Sequence, residues 1–99
     1  MDDNIAIRMM SALAQPTRLR VASALAQEFP GGLPVNELAK LVDTPQNTMS
    51  SHLAILARAG VVVARRTGRV VEYSADARSL DALADFVAAL SAKRRDRRS

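Results

Sequence analysis

Cysteine is absent from all 99 residues, and with it go disulfides, thiolate metal sites and thiol redox chemistry. Tryptophan is absent too, and aromatic residues make up only 3% of the chain. The apolar content leans instead on Ala, Leu and Val, which suit short, closely packed helices. No apolar run approaches the roughly 18–20 residues that cross a bilayer. The opening segment carries Asp2 and Asp3 where a secretory leader would be basic. A cytoplasmic protein with no membrane partner is therefore expected. A catalytic constellation is also missing: there is no cysteine nucleophile, no acid paired with the single histidine and no phosphate-cradling glycine loop. Neither enzyme activity nor a cofactor is expected.

One further absence is local. From Thr44 to Val71 there is no carboxylate, whereas Arg58, Arg65, Arg66 and Arg69 all fall within that stretch and Asp43 and Glu72 flank it. Such an asymmetry is the footprint of a polyanion partner. The segment Lys93, Arg94, Arg95, Asp96, Arg97, Arg98 carries as much net charge as the whole chain, +4, so the remainder is balanced. A chain of this length supports one core and one domain, expected over residues 1–92 and followed by a basic tail, 93–99. That tail reads either as a solubilising end or as a sequence-blind phosphate contact.

Apolar periodicity and capping signals lay out the rest. Residues 4–14 read as a first helix with Ile5, Met9 and Leu13 on one stripe. Pro16 suits the first turn of a second helix, whose face is Leu19, Ala22, Leu25 and Ala26 and which ends at Phe29 before Pro30-Gly31-Gly32. Val35, Leu38 and Leu41 or Val42 mark a short third helix, with Asp43 as a turn residue tolerant of left-handed backbone angles. Thr44-Pro45 predicts the start of a fourth helix, the threonine hydroxyl capping and the proline in the first turn. Met49, Leu53 and Leu56 form its inward stripe and Gly60 ends it. Two β-branched runs, Val61–Val63 and Val70–Tyr73, flank Thr67-Gly68, read as a two-residue hairpin turn with Arg66 facing Arg69 across it. From Leu80 to about Arg94, the residues Leu80, Leu83, Val87 and Leu90 repeat at heptad-like spacing. Such a stripe, with the apolar first helix, predicts a seam between two copies of the chain.

The fold expected is mainly α with a small β-hairpin, order α-α-α-α-β-β-α, a winged helix-turn-helix. At this point the sequence resembles a known family. LAQPTRLRVASAL (13–25), ELAKLVDTPQNTMSSHLAILARAGVV (37–62) and RRTGRVVEY (65–73) are similar to the ArsR/SmtB bacterial repressors, as is the pattern Ser50, His52, Leu53, Leu56, Ala59, Gly60. The resemblance implies a homodimer formed by the first and last helices, through Ile5, Met9, Leu80, Leu83, Val87 and Leu90. It also implies that each fourth helix enters a major groove of double-stranded DNA and each wing reaches toward backbone or minor groove. On that reading Gln46, Asn47, Thr48, Ser50, Ser51 and His52 form the DNA-facing end of the fourth helix, and Arg65, Arg66 and Arg69 the wing contacts. Gln and Asn can pair bidentately with adenine. The alternative for these residues is an ordinary solvated surface, and for the whole chain a winged-helix protein–protein module that binds no DNA.

The departure from the family lies in sensing. A lone His52 cannot build a zinc site of normal coordination. Asp81 and Asp85 are at most a weak hard-cation pair and read better as charges favourable to a helix start. Neither a metal site nor the identity of an effector is expected from these residues. Arg18 stays open between holding a carboxylate inside the fold and touching DNA.

Overall fold

The computed structural model describes residues 1–96; Arg97, Arg98 and Ser99, the end of the expected basic tail, lie outside the described residues. Helix α1 (Asp3–Leu13) begins where the Asp2 carboxylate accepts the Ile5 N–H at 2.9 Å. The face it buries is Ala6, Met9 and Ala12, which leaves Ile5 exposed and Leu13 half-buried. Helix α2 (Pro16–Glu28) has proline at its first position as expected, and Gln15 caps it by accepting the Arg18 N–H at 2.8 Å. It buries Val21, Ala22 and Leu25, while Leu19 and Ala26 of the predicted face point to solvent.

Beyond α2 the chain forms a two-residue strand, β1 (Leu33–Pro34), that periodicity could not reveal. Gly32 makes it possible: a Cβ there would stand 2.5 Å from the Tyr73 carbonyl oxygen, so a glycine is required for the backbones to approach. Helix α3 (Val35–Leu41) follows, and Asp43 takes a positive φ of 50° in the turn, as its side chain permits. Helix α4 (Gln46–Ala59) buries Met49, Leu53, Leu56 and Ala59 and ends at Gly60, φ 85°, where the Val61 N–H donates to the Leu56 carbonyl at 2.9 Å. Its start differs from expectation. The N-cap is Pro45, which has no capping side chain, and the Thr44 hydroxyl donates to the Val42 carbonyl at 3.1 Å. Thr44 therefore braces the α3–α4 turn instead of capping α4.

Strands β2 (Val62–Thr67) and β3 (Val70–Ala75) form the wing, and β1 adds to the other side of β3, giving an antiparallel sheet in the order β1-β3-β2. Thr67 pairs with Val70, so the turn is Gly68-Arg69, one residue later than predicted. Gly68 has φ 63°, a value costly for the β-branched Thr67 and free for glycine at the first position of a tight hairpin turn.

Helix α5 (Ala77–Asp96) starts three residues ahead of Leu80, because the Asp76 carboxylate accepts the Ser79 N–H at 3.1 Å, and runs on through Lys93 and Arg94. The core lies between the helices and the base of the wing, with Met9, Leu25, Leu38, Met49, Leu53, Leu56, Val21 and Val61 fully buried. Leu83 joins it from α5, with Leu80 and Phe86 packed alongside. The remainder of α5 leaves the body: the molecule measures 57 × 23 × 22 Å, with a radius of gyration of 15.2 Å. A compact chain of this size would have about 12–13 Å. No helix among the described residues is long and apolar enough to cross a membrane.

Candidate nucleic-acid interface

Helix α4 presents two different ends. In its first two turns Met49 is buried, while Gln46, Asn47, Thr48, Ser50 and Ser51 are all exposed. The buried stripe sets the rotation of the helix, so these hydrogen-bonding, uncharged side chains project from one rigid surface. Asn47 Oδ1 accepts the Thr48 N–H at 2.9 Å, which satisfies an orphan backbone donor and leaves the amide NH₂ of Asn47 outward. The Ser50 hydroxyl donates to the Gln46 carbonyl at 3.1 Å and the Ser51 hydroxyl to the Asn47 carbonyl at 3.4 Å. Both hydroxyls thus rest on their own helix, in bonds weak enough to exchange for an incoming acceptor.

His52 is half-buried, and its Nδ1 lies 3.3 Å from Arg18 Nη1. Because a guanidinium can only donate, Nδ1 is the acceptor and the imidazole carries its proton on Nε2. The same Arg18 donates through Nε to the Ala12 carbonyl at 2.7 Å. One side chain therefore ties the C-terminal end of α1, the first turn of α2 and the middle of α4 together. Within the fold Arg18 holds a backbone carbonyl and a histidine instead of a carboxylate, and sequence spacing could pair neither with it.

On the wing, Arg65, Arg66 and Arg69 are exposed. The observed register corrects two expectations. Arg66 stands opposite Val71, not Arg69, and Arg69 sits in the turn itself; Arg65 stands opposite Glu72, so that the carboxylate bounding the basic stretch lies directly across from one of its arginines. Strand alternation puts Arg65 and Glu72 on one face with Val63 and Ser74, and Arg66 on the other with Val62, Ala64 and Tyr73. Asn36 and Lys40 sit on one exposed face of α3, at i, i+4 spacing, and share a cleft with Asp43 and Gln46.

The residues expected at a dimer seam divide. Met9 is 1% exposed and Leu83 is buried, so both belong to the protomer core and offer no surface to a second copy. Ile5 is exposed, Val87 and Leu90 are 46% and 51% exposed, and Leu80 is half-buried. Among the described residues no group of three or more His, Asp or Glu is placed to hold a metal ion.

Residues 13–65 match the helix-turn-helix domain family. The transcriptional regulator NmtR of Mycobacterium tuberculosis is 38% identical over 65 residues, 66% of this chain and 52% of NmtR. The nodulation protein NolR of Rhizobium meliloti is 34% identical over 90 residues, 91% of this chain and 69% of NolR. Among solved structures, the homodimeric winged helix-turn-helix DNA-binding domain of Mb0332 from Mycobacterium bovis, described as a possible ArsR-family regulator, superposes with a TM-score of 0.72. It is 25% identical, and the match covers 98% of this chain and 93% of that one. The chain spans about half the length of the curated relatives that NmtR represents. With the tight α3–α4 turn, the polar leading face of α4 and the two-stranded wing in place, the chain belongs to the helix-turn-helix domain family and is similar to ArsR-type winged-helix regulators.

Proposed function

We propose that this protein is a transcriptional repressor that binds double-stranded DNA sequence-specifically as a homodimer, with the first two turns of α4 in the major groove. The observation that carries this reading is the leading face of α4. Five exposed hydrogen-bonding side chains stand on a helix whose other face is locked into the core, beside a wing with three exposed arginines. Gln46 and Asn47 offer bidentate partners for adenine, and Ser50, Ser51 and Thr48 offer hydroxyls to base edges or phosphates. His52 Nε2–H is a further donor, set in place by Arg18. Arg66 and Arg69 supply phosphate or minor-groove contacts, with Arg65 shared between phosphate and Glu72. Asn36 and Lys40, beside Gln46, extend the phosphate-contacting edge.

The reading of a homodimer is supported by the exposed apolar residues Val87 and Leu90 on the projecting part of α5 and by Ile5 on α1. It is also supported by the homodimeric assembly of the Mb0332 domain. Two α4 helices related by a two-fold axis would meet successive major grooves about 34–36 Å apart on a palindromic site. The protein–protein alternative calls for exposed apolar anchors at the leading end of α4, and the one apolar side chain among Gln46–Ser51, Met49, is buried.

The test is fluorescence anisotropy with DNA from upstream of the protein's own gene and with random DNA of equal length. Gln46→Ala or Asn47→Ala should cost about 1–3 kcal/mol on the specific site and little on random DNA. Arg66→Ala should weaken both and reduce the salt slope by about one. Equal affinity of the unaltered protein for both DNAs would refute the reading.

A further inference from the structure

A groove of about 510 Å³ lies between α1 and α4, on a side of the protomer that the DNA-binding reading leaves unused. Its apolar surface is Ile7, Ile55 and Ala12, and its rim carries Arg8, Arg18 and Arg58; no carboxylate lines it. Ile7 is 59% and Ile55 40% exposed, unusual for a facing pair of large aliphatic residues on neighbouring helices. Three guanidinium groups around one apolar surface repel one another unless an anion sits between them. The volume falls in the range of about 300–1,000 Å³ typical of small-molecule sites.

We propose that this groove binds a small organic anion with one carboxylate head and an apolar body, the body covering Ile7 and Ile55 and the head held by the arginine rim. Charge decides among the possible occupants. The carboxylate-free rim calls for an anionic head, and a DNA phosphate has no apolar body to cover the isoleucines. Arg18 gives the site a line to the leading end of α4. It uses Nε on the Ala12 carbonyl and Nη1 on His52 Nδ1, which leaves the rest of its five N–H donors for a carboxylate. A head group that drew the guanidinium toward the groove would lengthen the bond to His52 and release the middle of α4. This coupling rests on the DNA-binding reading; the binding itself does not.

Isoleucine methyl spectra suit the test, because the chain has three isoleucines: Ile7 and Ile55 in the groove and Ile5 outside it as an internal reference. Titration of the full chain, without DNA, with octanoate should shift Ile7 and Ile55 saturably and leave Ile5 in place. Octanol and inorganic phosphate should each need at least about tenfold more ligand, and Arg58→Gln should weaken octanoate by about tenfold with its melting temperature unchanged. Equal potency of octanol would reduce the groove to an apolar surface, and equal potency of phosphate to a simple anion site; either overturns the proposal. So does movement of Ile7 and Ile55 on raising protein concentration alone, which would mark the groove as an interface between copies. In the anisotropy assay, saturating octanoate should lower DNA affinity severalfold for the unaltered protein and not for Arg58→Gln. Octanoate that binds without changing DNA affinity overturns the coupling and leaves the site.

Discussion

At the scale of single residues, Arg18 has more depending on it than its exposed, charged type suggests. Its guanidinium bonds two groups that are far apart in sequence, the Ala12 carbonyl at a helix end and the imidazole of His52. Arg18→Ala would leave a helix-terminal carbonyl and a half-buried ring nitrogen without partners. It should lower stability by about 1–3 kcal/mol in urea unfolding, with the m-value unchanged. Arg20, exposed on the same helix, is the matched control and should stay within about 0.5 kcal/mol of the parent. Core residues follow the usual cavity rule: Leu53, fully buried on α4, should cost about 2–5 kcal/mol as Leu53→Ala.

At the scale of elements, turns and helix ends were the most legible features and also the source of the main misplacements. Pro16, Asp43 and Gly60 act as their backbone chemistry predicts. The wing turn moved by one residue because the penalty for positive φ falls on Thr67 and not on Gly68, and that single step replaced an Arg66–Arg69 pair with Arg65 opposite Glu72. The strand β1 has a specific weak point. Gly32→Ala would press a methyl group against the Tyr73 carbonyl, so it should detach β1 from β3. Amide exchange should then accelerate at the residues paired with Leu33 and Pro34 while α4 keeps its protection. Unchanged exchange at Tyr73 and Glu72 would show that β1 contributes nothing to the wing.

At the scale of the whole molecule, the long axis of 57 Å reflects a final helix that outruns its own core. Leu83 anchors α5 to the body, whereas Val87 and Leu90 beyond it stay about half exposed. Val87→Asp with Leu90→Asp should therefore convert a dimer to a monomer in light scattering while leaving the far-ultraviolet circular dichroism intact. An unchanged dimer mass would remove α5 from the interface. Leu83→Asp cannot serve here, because a buried charge in the protomer core would unfold the chain and mimic dissociation.

The order of the five helices and the two wing strands, the ends of most of them and the polar leading face of α4 were determined by the sequence alone. These rest on local rules: a proline tolerated in the first turn, a glycine that can take positive φ, an apolar stripe at spacings of three and four. Tertiary structure decided the rotation of α1, which buries Ala6, Met9 and Ala12 and leaves Ile5 of the predicted stripe exposed. It also decided that Gly32 lets β1 reach β3, that Arg18 meets His52 across 34 positions of sequence, and that three arginines from three helices surround one apolar groove. The physical reason is common to all of these. Burial, close backbone approach and charge clustering depend on which elements become neighbours, and residues distant along the chain carry no spacing signal that announces they will meet.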